Sequence, residues 1–284
     1  MLRHMICERF RKQFIDNCIA FDTPRLESET YPEDVKVEAD ILYDGKHALD
    51  YYIPAAAEND MLSSGQKAYL LIHGGAFVYG SKLLDKRFGM FLAQQSGKLV
   101  VNIDYTLMPE GGLKQQMEDI FAAIRFIVQD KNVKTIYTIG DSAGGYLALL
   151  TGILVNSKKA KKDFGLPGSV PVTVSNVHMI CGAFEDSPKR FAGYYFDRKN
   201  ELPHFIYNLT EAISAYGCPP LVLTTGDKDS MLGENRKLQF QLEKMEIPHT
   251  YKEFQSKDDR VMHHVFAIAH PDWPEGMESI RMSI

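Results

Sequence analysis

Between Ala68 and Phe254, short apolar runs alternate with stretches of helical periodicity. This alternation restricts the chain more than any other feature. The runs Ala68–Ile72, Leu99–Ile103, Thr135–Ile139, Val174–Ile180, Pro220–Thr225 and Thr250–Phe254 have the length of buried strands. Lys86–Gln95, Gly112–Gln129, Tyr146–Val155 and Glu234–Met245 read as the helices between them. Such a pattern makes βαβ units and a mostly parallel central sheet, with helices on both faces. Sheets of this kind bind ligands at the carboxyl ends of their strands, so the chemistry is expected just after each strand.

The N-terminal part differs. Leu2, Met5, Ile6, Phe10, Phe14, Ile15 and Cys18 recur at helical spacing and predict one amphipathic helix, with Pro24 and Pro32 breaking the chain after it. Val35–Tyr43 alternates as a half-buried strand does, Asp44-Gly45 signals a hairpin turn, and Ala48–Ile53 returns as a second strand. About 35 residues separate Ala183 from Pro220, far above the usual connection of ~4–6. That insertion is rich in aromatics, among them Phe191, Tyr194, Phe196 and Tyr216. A cap over a pocket and a helical insertion with core aromatics both fit it.

Several classes drop out. Lys and Arg total 32 against 37 Asp and Glu, a net charge of −5, so no surplus of cations is available for nucleic acid. The run Lys158, Lys159, Lys161, Lys162 reads as a solvated loop. Charges spread evenly from Arg3 to Asp16 leave no signal-peptide core, and Phe164–Phe184, though free of Asp, Glu, Lys and Arg, carries Pro167 and Pro171 and makes a poor membrane span. Cys7, Cys18, Cys181 and Cys218 form no metal-type pair and are expected as reduced thiols in a cytoplasmic protein.

The strongest chemical signal is Gly140-Asp141-Ser142-Ala143-Gly144, a G-x-S-x-G that follows a predicted strand and opens a predicted helix. That is the setting of a nucleophile elbow, where small neighbours permit a tight turn and the serine hydroxyl projects from the sheet. The helix N-terminus behind it favours developing negative charge. His73-Gly74-Gly75-Ala76 follows the strand Ala68–Ile72, and its adjacent glycines can aim main-chain N–H groups into a cavity, as an oxyanion requires. Serine needs a base, and the base an orienting acid, here expected in the order Ser, Asp or Glu, His. Asp227 and Asp229 both follow the strand Pro220–Thr225; His263 and His264 both follow the last strand. Order alone leaves both pairs open.

These residues resemble the hormone-sensitive-lipase-like group of α/β-hydrolase carboxylesterases. His73-Gly74-Gly75-Ala76 is similar to that group's H-G-G-G, Asp104-Tyr105-Thr106-Leu107-Met108-Pro109-Glu110 to its D-Y-R-L-A-P-E, and Gly140–Gly145 matches its G-D-S-A-G-G. The resemblance implies an α/β-hydrolase fold over 1–284 as one domain, with a helical cap from about 1–33 and the insertion 185–217. It selects Asp229, from Asp229-Ser230-Met231-Leu232-Gly233-Glu234, and His264, from His264-Val265-Phe266. Ala76, Thr106 and Val265 depart from the group's Gly, Arg and Gly.

The implied activity is hydrolysis of carboxylic esters with short-to-medium acyl chains, through an acyl-enzyme. Ser142 is the expected nucleophile, His264 the base and Asp229 the orienting acid. Gly74, Gly75 and Ala143 are the expected oxyanion donors. No metal or cofactor is expected. The expected partner is a small-molecule ester, with a homodimer the one protein partner entertained. Phe77, Tyr79 and Tyr105 are candidates for the pocket wall or the core. The competing readings are an amidase, formamidase or peptidase on the same residues, and a small-molecule receptor that has lost its chemistry. A lipase acting at oil surfaces is disfavoured, since no long apolar lid helix is evident.

Overall fold

The computed structural model describes residues 2–55, 66–184 and 193–284. Its centre is an eight-stranded sheet of order β1-β2-β4-β3-β5-β6-β7-β8. The strands are β1 (Val35–Leu42), β2 (Ala48–Pro54), β3 (Gln66–Ile72), β4 (Leu99–Ile103), β5 (Val133–Asp141), β6 (Thr173–Ile180), β7 (Leu221–Gly226) and β8 (His249–Phe254). β2 pairs antiparallel with both β1 and β4, and every other pairing is parallel.

Alternation along the strands sorts the core into two halves, because successive side chains leave a strand on opposite faces. Tyr51, Leu70 and Val101 join one apolar cluster with α3 (Leu113–Lys131), α4 (Ala143–Asn156) and α8 (Leu232–Lys244). Their neighbours Tyr52, Leu71 and Val100 join the other, with α2 (Lys86–Ser96) and the C-terminal helix α10 (Pro274–Met282). Helices thus cover both faces, as a parallel sheet requires. α4 is apolar all round and buried from Ala143 to Leu154, so it sits under the sheet rather than on the surface.

Two local expectations fail. The first helix, α1, spans Leu2–Ser28 and runs through Pro24. A proline in a helix interior removes one main-chain donor, but here the last turn is held from outside. Arg25 bonds Asp22 at 3.0 Å and Glu29 at 2.7 Å, and its guanidinium reaches the Leu84 carbonyl at 3.2 Å. The lysine run is not a loop but a short helix, α5 (Lys158–Phe164). Ser157 caps its start by accepting the Ala160 N–H, Gly165 closes it in the left-handed region, and Ala160 and Phe164 anchor it in the core.

Part of the aromatic insertion, 185–192 with Phe191, lies outside the described residues. The remainder forms α6 (Gly193–Phe196), a 3₁₀ turn at His204–Tyr207 and α7 (Leu209–Tyr216). It is tied to the sheet side by the Tyr146 hydroxyl donating to the Ile206 carbonyl at 2.6 Å. It is tied to α1 by the Tyr195 hydroxyl donating to Glu8. Among the described residues no helix is long and apolar enough to cross a membrane.

Candidate active site

Ser142 stands between the end of β5 at Asp141 and the start of α4 at Ala143, and the turn there leaves it at φ 49°, ψ −118°. A side chain at positive φ is strained, and such strain persists only where the surroundings enforce it. Here the enforcement is packing. A Cβ on Gly144 would stand 2.0 Å from the Ile72 carbonyl oxygen, so the helix can pass this close to β3 only as glycine. The Ser142 N–H donates to the Ile180 carbonyl at 2.9 Å and the Ser142 carbonyl accepts from Ala183 at 2.8 Å, which fixes the turn against the end of β6.

The serine hydroxyl lies 2.9 Å from His264 Nε2, and His264 Nδ1 lies 2.6 Å from Asp229 Oδ1. A carboxylate only accepts, so Nδ1 carries the proton and Nε2 is left to accept from the hydroxyl. Asp229 follows β7 and is held by two further donors. Thr225 Oγ1 donates to Oδ2 at 2.6 Å, the Met231 N–H donates to Oδ1 at 2.8 Å, and the side chain is fully buried. Burial works against its ionisation, but the bond and charge of His264 together with these donors outweigh it. The carboxyl is held below its usual range.

Asp227, the alternative acid, faces elsewhere: its Oδ1 accepts the Ser256 N–H at 3.0 Å and the Ser256 hydroxyl at 2.5 Å. His263, the alternative base, sits with Nδ1 3.0 Å from the His264 carbonyl and its ring edge-on to Phe21 of α1. Val265, where the resembled group has glycine, takes φ 55° to turn the chain into α9 (Phe266–Ala269).

Gly74 does not offer a free donor. Its N–H is taken by Asp141 Oδ1 at 2.7 Å, and a Cβ there would meet Asp141 Oδ2 at 2.3 Å. The chain then turns through Gly75 at φ 109° and Ala76 at φ 51°. The main-chain N–H groups of Gly75, Ala76 and Ala143 have no partner among the described residues, and all three residues line the cavity at Ser142. The unpartnered main-chain donors in this part of the cavity lining are therefore those of Gly75, Ala76 and Ala143. Sequence order could not find this shift, since the direction of each N–H depends on the turn.

The cavity has a volume of about 700 Å³. One wall is the stripe Phe14, Asn17, Cys18, Phe21, Asp22 and Arg25 of α1, at helical spacing. Phe77 and Tyr79 line it from the loop after β3. Tyr105 does not: it is buried, stacks on His73 and donates to the His73 carbonyl at 2.8 Å. Sequence reading missed the polar part of the α1 stripe, for which the helical period was the available signal. It also missed Thr225, which carried none.

Among the described residues, two side-chain groups have metal-ligand geometry. Cys181, Asp229 and His264 present ligand atoms within 4.8 Å of one another, but those of Asp229 and His264 are bonded together. Asp44, His47 and Asp119 make the other, with Asp44 and His47 joined at 2.7 Å. The four cysteines are free thiols.

A mostly parallel sheet with a serine on a strand-to-helix elbow, an imidazole beside it and a buried carboxylate behind that imidazole defines the α/β-hydrolase class. Residues 69–267 match the family described as the alpha/beta hydrolase fold. The chain belongs to that family. It is similar to an acetyl esterase of Salmonella paratyphi A, 26% identical over 211 residues, covering 66% of this chain and 63% of the relative. The match thus spans less than two thirds of that relative's length. Esterase B from Lactobacillus rhamnosis (HN001) superimposes with a TM-score of 0.86 at 25% identity, covering 100% of this chain and 96% of that one. An esterase from the bacterial hormone-sensitive lipase family shares the fold, with a TM-score of 0.68 at 19% identity over 91% of this chain and 85% of its own.

Proposed function

We propose that the protein is a carboxylic ester hydrolase working through an acyl-enzyme on Ser142. The observation that carries the reading is the unbroken relay of contacts from the Ser142 hydroxyl to His264 at 2.9 Å and on to Asp229 at 2.6 Å. Ser142 Oγ attacks the ester carbonyl while His264 Nε2 takes its proton. Asp229 holds the ring and stabilises the imidazolium. The carbonyl oxygen becomes an oxyanion and is met by the N–H groups of Gly75, Ala76 and Ala143. His264 then protonates the departing alcohol. Water, deprotonated by the same imidazole, attacks the acyl-serine and restores the free hydroxyl.

α1 and the segment 193–217 act as the cap of a single hydrolase domain, with α1 forming one wall of the reaction cavity. The size of that cavity and its ring of Phe14, Phe21, Phe77 and Tyr79 favour esters of short-to-medium acyl chain, in keeping with the acetyl esterase named among the relatives.

The test is a series of p-nitrophenyl esters from acetate upward, with wild type and Ser142→Ala. Hydrolysis is expected to be fastest on the shorter chains. Loss of the nucleophile is expected to lower kcat by about 10⁶-fold with folding intact. A Ser142→Ala protein as active as wild type refutes the reading.

A further inference from the structure

Behind the donor loop lie two buried acidic side chains that the reaction above does not use. Asp85 ends the 3₁₀ turn Lys82–Asp85 and is 1% exposed. Neither of its carboxyl oxygens has a hydrogen-bond donor among the described residues. Asp141 is also buried, directly precedes Ser142, and accepts the Gly74 N–H. Both residues line the cavity at Ser142 side by side with Gly74 and Gly75, and each carboxyl acts on the other electrostatically.

A buried carboxylate with no donor is costly, and two in contact repel. A single proton between them removes both penalties. We propose that Asp85 is a positioning residue: it carries a proton, donates it as a hydrogen bond to the Asp141 carboxylate, and so holds Asp141 on Gly74 and keeps the Gly75 and Ala76 N–H groups aimed at the oxyanion. The inference rests on the ester-hydrolase reading for its effect on rate, but not for the proton itself.

The surroundings agree. Burial and then the charge of Asp141 push the Asp85 carboxyl well above its ordinary range. Asp141 is raised to about 6, chiefly by burial, with His264 and the Gly74 N–H pulling it back. Other ionisable groups act on the pair electrostatically. Arg25 and Asp22 come from α1, Tyr52 from β2, Tyr105 from the loop after β4, and Cys181 from the end of β6. Arg25 is the one constant cation among them, and its Nη groups are already committed to Asp22, Glu29 and the Leu84 carbonyl. It draws Asp85 towards ionisation without bonding it. The sign for activity follows. The pair holds one proton at neutral pH, and as pH rises that proton leaves, the carboxylates separate, and the donor loop loses its brace.

Two measurements test this. Infrared spectroscopy of wild type at pH 7 is expected to show a protonated-carboxyl band that is missing in Asp85→Asn; no such band in wild type overturns the proposal. With p-nitrophenyl acetate, Asp85→Ala is expected to lose about 10–100-fold in kcat with little change in KM, as for misplaced transition-state donors. Asp85→Asn, which still donates but cannot titrate, is expected to recover most of that loss and to lack the alkaline fall of kcat. Asp85→Ala with the kcat and pH profile of wild type overturns the proposal. If Asp85→Ala does not fold, the infrared band and the Asp85→Asn profile decide. If wild type hydrolyses no ester, the function fails while the infrared result still judges the proton.

Discussion

Asp227 and Asp229 stand two residues apart in one loop, yet only Asp229 reaches the imidazole; Asp227 is spent on the Ser256 turn. The consequence is measurable. Asp229→Asn would leave a group that can donate to Nδ1 and so favour the wrong tautomer, and about 10³–10⁴-fold of kcat is expected to go. Asp227→Asn is expected to stay within a few-fold, with its cost in stability instead. Equal losses in kcat from the two variants would contradict the geometry. The order of residues along the chain could reach this loop but not choose within it. The choice depends on which way a carboxyl points after β7, and only the resemblance to known motifs supplied it. Gly74 shows the converse. Its motif was legible, but the role assigned to it was not, because Asp141 claims its N–H across a sheet-end contact that no spacing encodes.

At the scale of elements, the strands and central helices were readable because burial imposes a period on each. Lys158–Phe164 was not, because its charges outnumber the two residues that anchor it. The extent of α1 was not, because what carries it past Pro24 is Arg25 bonding the Leu84 carbonyl, 59 residues away. The elbow depends on close approach, and two glycines separate that requirement from simple helix propensity. Gly144→Ala would force a Cβ to 2.0 Å from the Ile72 oxygen and is expected to destabilise the fold by several kcal/mol. Gly233, in the first turn of α8, has nothing within 4 Å of where a Cβ would stand and no positive φ. Gly233→Ala is expected to stabilise by about 0.4–1 kcal/mol. Thermal unfolding of the two variants checks both; a mild effect at Gly144 would mean the elbow is looser than its packing implies.

For the whole molecule, the C-terminus is locked to the sheet through a buried histidine. His178 Nδ1 pairs with Ser283 Oγ at 2.5 Å, and Nε2 pairs with Thr224 Oγ1 at 2.9 Å. Burial lowers its pKa to about 3, so the folded protein keeps it neutral where the unfolded chain protonates it. Below the ordinary histidine value of ~6.5 the unfolded state binds the extra proton, and stability falls as pH falls. Asp141, raised to about 6, acts with the opposite sign over part of the same window. Urea unfolding at pH 7.5 and 4.5 is expected to show wild type losing about 2–3 kcal/mol more than His178→Gln, in which the Asp141 contribution is unchanged and cancels. Equal losses would show that His178 titrates normally. The account as a whole turns on Ser142 being a nucleophile at all. The most direct measurement is peptide mass mapping after exposure to a fluorophosphonate. A single adduct on the peptide bearing Ser142, absent in Ser142→Ala and strongly slowed in His264→Ala, is the expected result. An unmodified Ser142 in folded wild-type protein, or undiminished labelling without His264, would contradict it.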